Sequence, residues 1–152
     1  MNKLKVIQLL PELNVGGVER GTTDFSKALV ENGHESIVIS NGGVYEKDII
    51  EHGGKHINLP IHKKSIFSLL LSKKLKSIYD QEKPDVIHIR SRMPAWINYH
   101  AFKKLNFKPL LISTFHGLYS TPIYSRVMSK VDHMIAISKT VKKYIIETYN
   151  IS

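Results

Sequence analysis

A doubly wound parallel α/β sheet is the architecture that this 152-residue sequence predicts. Three observations predict it. Apolar runs of strand length alternate with stretches of helical periodicity from end to end, the pattern of a parallel sheet covered on both faces. The first run feeds a glycine pair, Gly16-Gly17, just where a helix begins. No internal repeat, low-complexity stretch or linker interrupts the alternation, so one domain with right-handed crossovers accounts for the chain.

The elements follow in order. Leu4 to Leu10 reads as a buried strand. Val18 to Asn32 reads as a helix, with Val18, Thr22, Phe25 and Leu29 on one face at helical spacing and Gly33 to end it. Ser36 to Ser40 is a short apolar strand, turned by Asn41-Gly42-Gly43. Val44 to His52 predicts a short helix, and Lys55 to Leu59 a weaker strand closed by Pro60. Ser65 to Gln81 reads as one long helix whose stripe of Phe67, Leu71, Leu75 and Ile78 is assigned to the core. Asp85 to Arg90 is a fourth strand, Pro94 to Leu105 a helix, and Lys108 to Thr114 a fifth strand. Ile123 to Lys130 predicts a short helix and Asp132 to Ile137 a sixth strand. Ser138 caps a final helix to Tyr149. The result is a Rossmann-like domain with strand order 3-2-1-4-5-6.

Composition narrows the function classes. Hydrophobic residues make up 42% of the chain, a globular proportion. No apolar run approaches the roughly 20 residues of a membrane-spanning helix. Met1 to Lys5 runs straight into the first strand with no small-residue cleavage site, so no secretory leader is expected. There is no cysteine, which excludes a disulfide framework and thiolate-bound metal. A cytoplasmic location is therefore expected. The formal charge of +9, from 22 Lys and Arg against 13 Asp and Glu, fits either an acidic partner or a solvated lysine-rich surface.

In sheets of this kind ligands bind beyond the carboxyl ends of the strands, where the strand order reverses between the first and fourth. Three polar or glycine-bearing segments arrive there: Gly16-Gly17 with Arg20, Arg90-Ser91-Arg92, and His116-Gly117. Glycine permits close approach to the backbone, and the first N–H groups of a helix attract anions. A tight turn alone is the competing reading of the pair. Arg20 belongs either to a solvated first turn or to the cleft. Arg90 and Arg92 suit phosphate or carboxylate through their planar donor fork, or else pair with surface carboxylates; Ser91 suits a sugar hydroxyl. His116 suits either a structural hydrogen bond or the positioning of a hydroxyl near neutral pH. His88, inside the fourth strand, reads as a satisfied core residue. No metal-ligand set and no Ser-His-Asp arrangement emerges. The G-x-G-x-x-G fingerprint and an acidic residue after the second strand are both absent, which counts against an NAD-dependent oxidoreductase.

The helix from Ser65 carries a second feature. At about 100° per residue, Ile66 and Leu69 fall opposite the Leu71 stripe, beside Lys73 and Lys76. With His62, Lys63 and Lys64 before them they read as a peripheral contact with an anionic membrane, or as a face buried against a larger protein.

These segments resemble the N-terminal domain of family-4 glycosyltransferases, which have the GT-B fold of two Rossmann-like domains, and most resemble its bacterial lipopolysaccharide-type members. The residues that carry the resemblance are LLPELNVGGVERGTTDFSKALVENGHESIVIS, DVIHIRSRMPAWINYHAF, STFHGLY and MIAISKTVKKYI, in the family's order and over essentially the whole chain. The resemblance implies transfer of a sugar from a nucleotide sugar, with retention, usually without a metal or other cofactor. It implies that Gly16 and Gly17 lie against the donor diphosphate and His116 near the transferred sugar. Arg90, Ser91 and Arg92 would line the acceptor side, and the acceptor would be a lipid, a lipopolysaccharide precursor or another glycan. It also implies a second domain carrying the nucleotide site and an E-x7-E motif, supplied covalently or by a separate chain, without which this domain is not expected to be active. A membrane surface, and not nucleic acid, is the expected anionic partner. A non-catalytic remnant or binding module is the alternative.

Overall fold

A computed structural model describes residues 1–152. Its six strands are β1 (Lys5–Leu9), β2 (Glu35–Ser40), β3 (Lys55–Asn58), β4 (Val86–Ile89), β5 (Leu110–Phe115) and β6 (His133–Ala136). They form one parallel sheet in the order β3-β2-β1-β4-β5-β6, as the sequence predicts. The order reverses between β1 and β4, so the loops after those two strands diverge and leave a crevice.

One face of the sheet carries the larger core. Ile7, Leu9, Ile37, Ile39, Ile87 and Ile89 are all but fully buried there, against α3 (Leu71–Glu82) and α4 (Arg92–Phe102). Each such side chain contributes about 1.5–3 kcal/mol by leaving water. Two short turns, α5 (Pro122–Ser125) and a 3-10 turn (Arg126–Ser129), follow β5, and α6 (Lys139–Tyr149) adds Val141 and Ile145 to this core. The Ser138 hydroxyl accepts from the Val141 N–H and caps α6, as read from the sequence.

The other face is covered by α1 (Gly17–Glu31) and α2 (Glu46–Glu51) over β1, β2 and β3, with Phe25 of α1 reaching His88 on β4. Here α1 departs from its sequence-derived stripe. Its buried positions are Thr22, Thr23, Ser26 and Leu29, while Phe25 is 39% exposed. Small side chains let the helix lie close to the sheet, and their hydroxyls are satisfied locally: Thr22 and Thr23 donate to the Val18 and Glu19 carbonyls, and Ser26 bonds Ser36 at 2.7 Å. Phe25 is left on the helix shoulder. On the same sheet face beyond β4, Leu110, Ile135 and Ile137 remain 40%, 46% and 56% exposed.

The long helix predicted from Ser65 is two elements. Ile66–Leu70 is a 3-10 helix capped by the Ser65 hydroxyl, and α3 begins only at Leu71. At three residues per turn, side chains three apart eclipse one another, so a stripe drawn for 3.6 residues per turn fails. Ile66 and Leu69 form one row and Phe67 and Leu70 another. Phe67, assigned to the core from the sequence, is 76% exposed, and Leu70 is 70% exposed. Leu69, expected outside, is half-buried against the core; Ile66 is exposed, as expected. Lys63, Lys64 and Lys73 are exposed, whereas Lys76 is half-buried and paired with Asp80 at 2.5 Å.

Candidate active site

The crevice is built by loops that brace each other. After β1, residues 10–16 run alongside the turn after β2: Leu13 N–H donates to the Gly42 carbonyl, Asn41 N–H to Pro11 and Tyr45 N–H to Leu13. Gly43, at φ +151, makes this possible, because a Cβ there would lie 2.5 Å from the Leu13 carbonyl carbon. The braced loop delivers Gly16 as the N-cap of α1. Gly16 is extended, so no strain requires glycine; the Glu19 carboxylate folds over it, 2.2 Å from where a Cβ would stand. At Gly17 an added Cβ would meet nothing within 4 Å, so packing inside the chain does not explain that glycine.

The first turn of α1 thus already has a carboxylate against it, as the positive end of a helix favours. Arg20, by contrast, is 69% exposed at its side chain and pairs with Asp24 at 3.6 Å along the helix. It belongs to the solvated face.

Beneath α1 lies a polar row inside an otherwise apolar sheet. Gln8 on β1 stands in register with His88 on β4. Gln8 Nε2 donates to the Thr22 carbonyl at 3.2 Å, and its Oε1 accepts from Arg90 Nε at 2.8 Å. His88 Nε2 bonds Thr114 Oγ1 at 2.7 Å, and Phe25 meets the His88 ring edge-on. His88 is therefore a satisfied core histidine. Burial, then the Arg90 and His116 charges, push its pKa down to about 3.

Arg90 is 9% exposed and forms no ion pair. Burial draws its pKa down to about 10, so it stays charged at neutral pH. Gln8 and the face of Phe25, 5.8 Å from the guanidinium carbon, are its company. Arg92, in the first turn of α4, also lacks a carboxylate. Its guanidinium lies 4.8 Å from the Tyr119 ring centroid and 5.2 Å from that of Tyr124, with a long 3.4 Å bond to the Ser125 hydroxyl. Of the two readings of these arginines, pairing with surface carboxylates is the one the structure rejects. Ser91 is the extended N-cap of α4, and its hydroxyl makes no capping bond.

His116 follows β5 directly. Its Nε2 is buried and hydrogen-bonds no protein atom. Burial first, and Arg90 second, lower its pKa, so the ring is neutral at pH 7. A buried polar atom without a partner is uncommon and calls for an explanation. Gly117 beside it has open space where a Cβ would stand. The carboxyl ends of β1, β4 and β5 thus bring together a glycine turn, two unpaired guanidinium groups and a neutral imidazole.

The sequence model of Glycosyltransferase Family 4 matches residues 15–152. The chain belongs to glycosyltransferase family 4. Among solved structures it is similar to a glycosyltransferase from Rickettsia africae, with 37% identity and a TM-score of 0.84 over 100% of this chain and 41% of that one. It also resembles a sucrose-phosphate synthase from Thermosynechococcus elongatus, at 13% identity and a TM-score of 0.72, covering 94% of this chain and 45% of that chain. A UDP-GlcNAc 2-epimerase from Neisseria meningitidis bound to UDP-GlcNAc gives 16% identity and a TM-score of 0.65, over 98% of this chain and 44% of that chain. The last two likenesses show the fold alone. No curated protein sequence matches. The chain spans 41% to 45% of the length of these solved relatives. The fold is that of the N-terminal half of a GT-B glycosyltransferase.

Little in the sequence marks the residues that brace this crevice. Gln8 was legible as the one polar side chain inside the apolar run VIQLL. Phe25 was misassigned to the core, and Thr114 and Tyr119 carried no signal of their own.

Proposed function

We propose that this domain is the acceptor-binding half of a retaining glycosyltransferase, which works with a second domain, covalent or from another chain, that supplies the nucleotide sugar. The observation that carries this is the pair of uncompensated guanidinium groups, Arg90 and Arg92, beside the unpartnered Nε2 of His116. Buried cations are ordinarily paired, so their isolation points to an anion as the missing partner. In transfer with retention the bond from the sugar's anomeric carbon to the donor phosphate breaks, one to the acceptor oxygen forms on the same face, and the acceptor hydroxyl gives its proton to the departing nucleoside diphosphate. Arg90, close to His116, opposes an imidazolium there, so His116 orients a hydroxyl by hydrogen bonding and does not store the proton. Gly16 and Gly17 offer backbone to the donor diphosphate, displacing the Glu19 carboxylate; Ser91 and Gly117 line the opening. The half-exposed face of Leu110, Ile135 and Ile137 supports a further body against the sheet, since parallel sheets are ordinarily covered on both sides.

A lipid or lipopolysaccharide precursor is the acceptor class we favour, with work at the inner face of the membrane. No helix is long and apolar enough to cross a membrane. Support comes instead from Ile66, Phe67 and Leu70, exposed together beside Lys63, Lys64 and Lys73. Changing Phe67 and Leu70 to Ser should weaken binding to phosphatidylglycerol vesicles at least tenfold with the melting temperature unchanged; equal binding would remove the membrane role. For the transferase reading, the chain is co-purified with its partner and assayed with nucleotide sugars. Transfer that needs both components supports the reading. A partnered complex with no transfer to any lipid or glycan acceptor would instead leave a binding module.

A further inference from the structure

The segments that pack around α4's outer side hold a pocket that the proposed chemistry does not use. It has a volume of about 390 Å³ and is lined by Ile66, Leu69, Met93, Trp96 and Tyr124, with Lys64 and Ser65 at the edge. That is within the usual size of small-molecule sites. The polar atoms of its walls are already engaged. Trp96 Nε1 donates to the Tyr124 carbonyl at 2.9 Å, and the Tyr124 hydroxyl donates to the Met93 sulfur at 3.4 Å. The indole lies nearly parallel to the Tyr124 ring, at 25° and 6.4 Å. What remains for an occupant is apolar surface.

Charge around the pocket is of one sign. From Leu59 to Tyr79 and from Val86 to Val131 the sequence contains no Asp or Glu. Lys63, Lys64 and Arg92 form no ion pair, and Arg92 stands 5.2 Å from the Tyr124 ring that walls the pocket. The 3-10 helix gives the entrance its form. Its Ile66–Leu69 row faces the pocket while its Phe67–Leu70 row stays outside, so one turn of chain presents apolar surface in both directions.

We infer that this pocket takes the apolar chain of a membrane lipid phosphate, with Arg92 and Lys64 meeting the phosphate. An apolar slot with Lys64 in its lining and Arg92 against the Tyr124 wall complements an amphipathic anion. The phosphate then lies at the mouth of the crevice, on the Arg92 side. This rests on the reading of the domain as the half that takes a membrane-borne acceptor, and it adds the place where the acceptor's tail is held.

Trp96 is the only tryptophan in the chain, so its emission reports the pocket directly. Below its micelle-forming concentration, dodecyl phosphate should shift that emission to the blue in a saturable way. Hexyl phosphate should bind at least tenfold more weakly, since each methylene removed costs roughly a threefold loss. Dodecyl maltoside, with the same chain and an uncharged head, should also bind at least tenfold more weakly, and inorganic phosphate should leave the emission unmoved. Ile66→Asp, at an exposed rim position, and Arg92→Gln should each weaken dodecyl phosphate about tenfold; Phe67→Ser, on the outer row, should not. No saturable shift, or equal affinity for the phosphate and maltoside heads, overturns the inference, the latter pointing to an apolar segment of a second domain. Unchanged affinity in both rim variants does so too. The readout needs no sugar transfer. Binding without transfer in the partnered complex sinks only the transferase reading, and transfer to a soluble glycan with no lipid-phosphate binding sinks only the pocket.

Discussion

The two edges of the sheet treat charge in opposite ways. At the amino ends of β1, β2 and β3 the charges that open the strands are paired. Lys5 opens β1, Glu35 opens β2 and Lys55 opens β3, and they join Lys3 and Glu82 in one network of ion pairs. Asp85 accepts from the Lys5 backbone N–H at 2.7 Å. At the carboxyl ends Arg90 and Arg92 have no carboxylate, and His116 Nε2 has no partner at all. Exposure does not explain the contrast, since the paired charges are the more exposed ones, Lys3 and Lys55 at 63% and 57% of their side chains, and the unpaired Arg90 is 9% exposed. One edge is satisfied by the chain itself; at the other the chain supplies no partner, which is what the proposed binding role would use.

The strongest way to break this contrast is at His116. In a partnered, active assembly His116→Ala should lower transfer at least a hundredfold, the ordinary scale for a positioned imidazole. The melting temperature should hold, because Nε2 gives up no bond within the chain. Near-normal turnover would make His116 a bystander and return the carboxyl edge to ordinary packing. Next in size is the arginine pair. Pyrophosphate, as a probe for the missing anion, should raise the melting temperature of the wild-type chain. Its affinity should fall at least tenfold in the Arg90→Gln, Arg92→Gln double variant. Equal protection of both proteins would mean that the unpaired guanidinium groups attract nothing.

Acid should separate the edges on a pH axis. His88 is held neutral down to about pH 3, whereas an unfolded histidine titrates near 6.5. Above pH 6.5 both states are neutral and His88 contributes no slope. Below it the unfolded chain binds a proton that the folded chain refuses, so stability falls by about 1.4 kcal/mol per pH unit until pH 3. His116, also depressed, acts in the same direction. The lowered carboxylates of the amino edge, Glu35 and Glu82, begin to cost stability only below their unfolded value of 4.5. His88→Gln keeps a hydrogen bond for Thr114 and should flatten the melting profile between pH 6.5 and 5. A profile as steep as the wild type's would assign that acid sensitivity to other groups.

How much of this was written in the sequence divides along the same line. Strand order and the three site segments were legible because they depend on local pattern: apolar runs, glycine turns and the polar residues just after strands. The hidden parts depend on close approach between distant segments. Phe25 sat on a convincing helical stripe, yet the small Thr22, Thr23 and Ser26 let α1 lie close to the sheet, with Ser26 bonded to Ser36, and Phe25 is left on the shoulder beside His88 and Arg90. Ile66 to Leu70 kept the right composition for a helix, but a 3-10 turn changes which residues share a row. That moves Phe67 out and Leu69 in. Arg20 illustrates the converse: Asp24, one turn along, was visible in the sequence, and the two side chains pair on the solvated face.

The smallest expected effect closes the comparison from the other side. Glu82 is 14% exposed at its side chain and bonds both Lys5 and Lys55. Glu82→Ala removes one acid shared by two cations, which should cost about 1 kcal/mol and lower the melting temperature by roughly 2–4 °C. It lies at the far end of the strands from Arg90 and His116, so pyrophosphate binding and sugar transfer should keep their wild-type values. If Glu82→Ala weakened pyrophosphate as much as the double arginine variant does, the two edges would be electrostatically one site. The unpaired charge at the carboxyl ends would then be a property of the whole sheet and not of a prepared cleft.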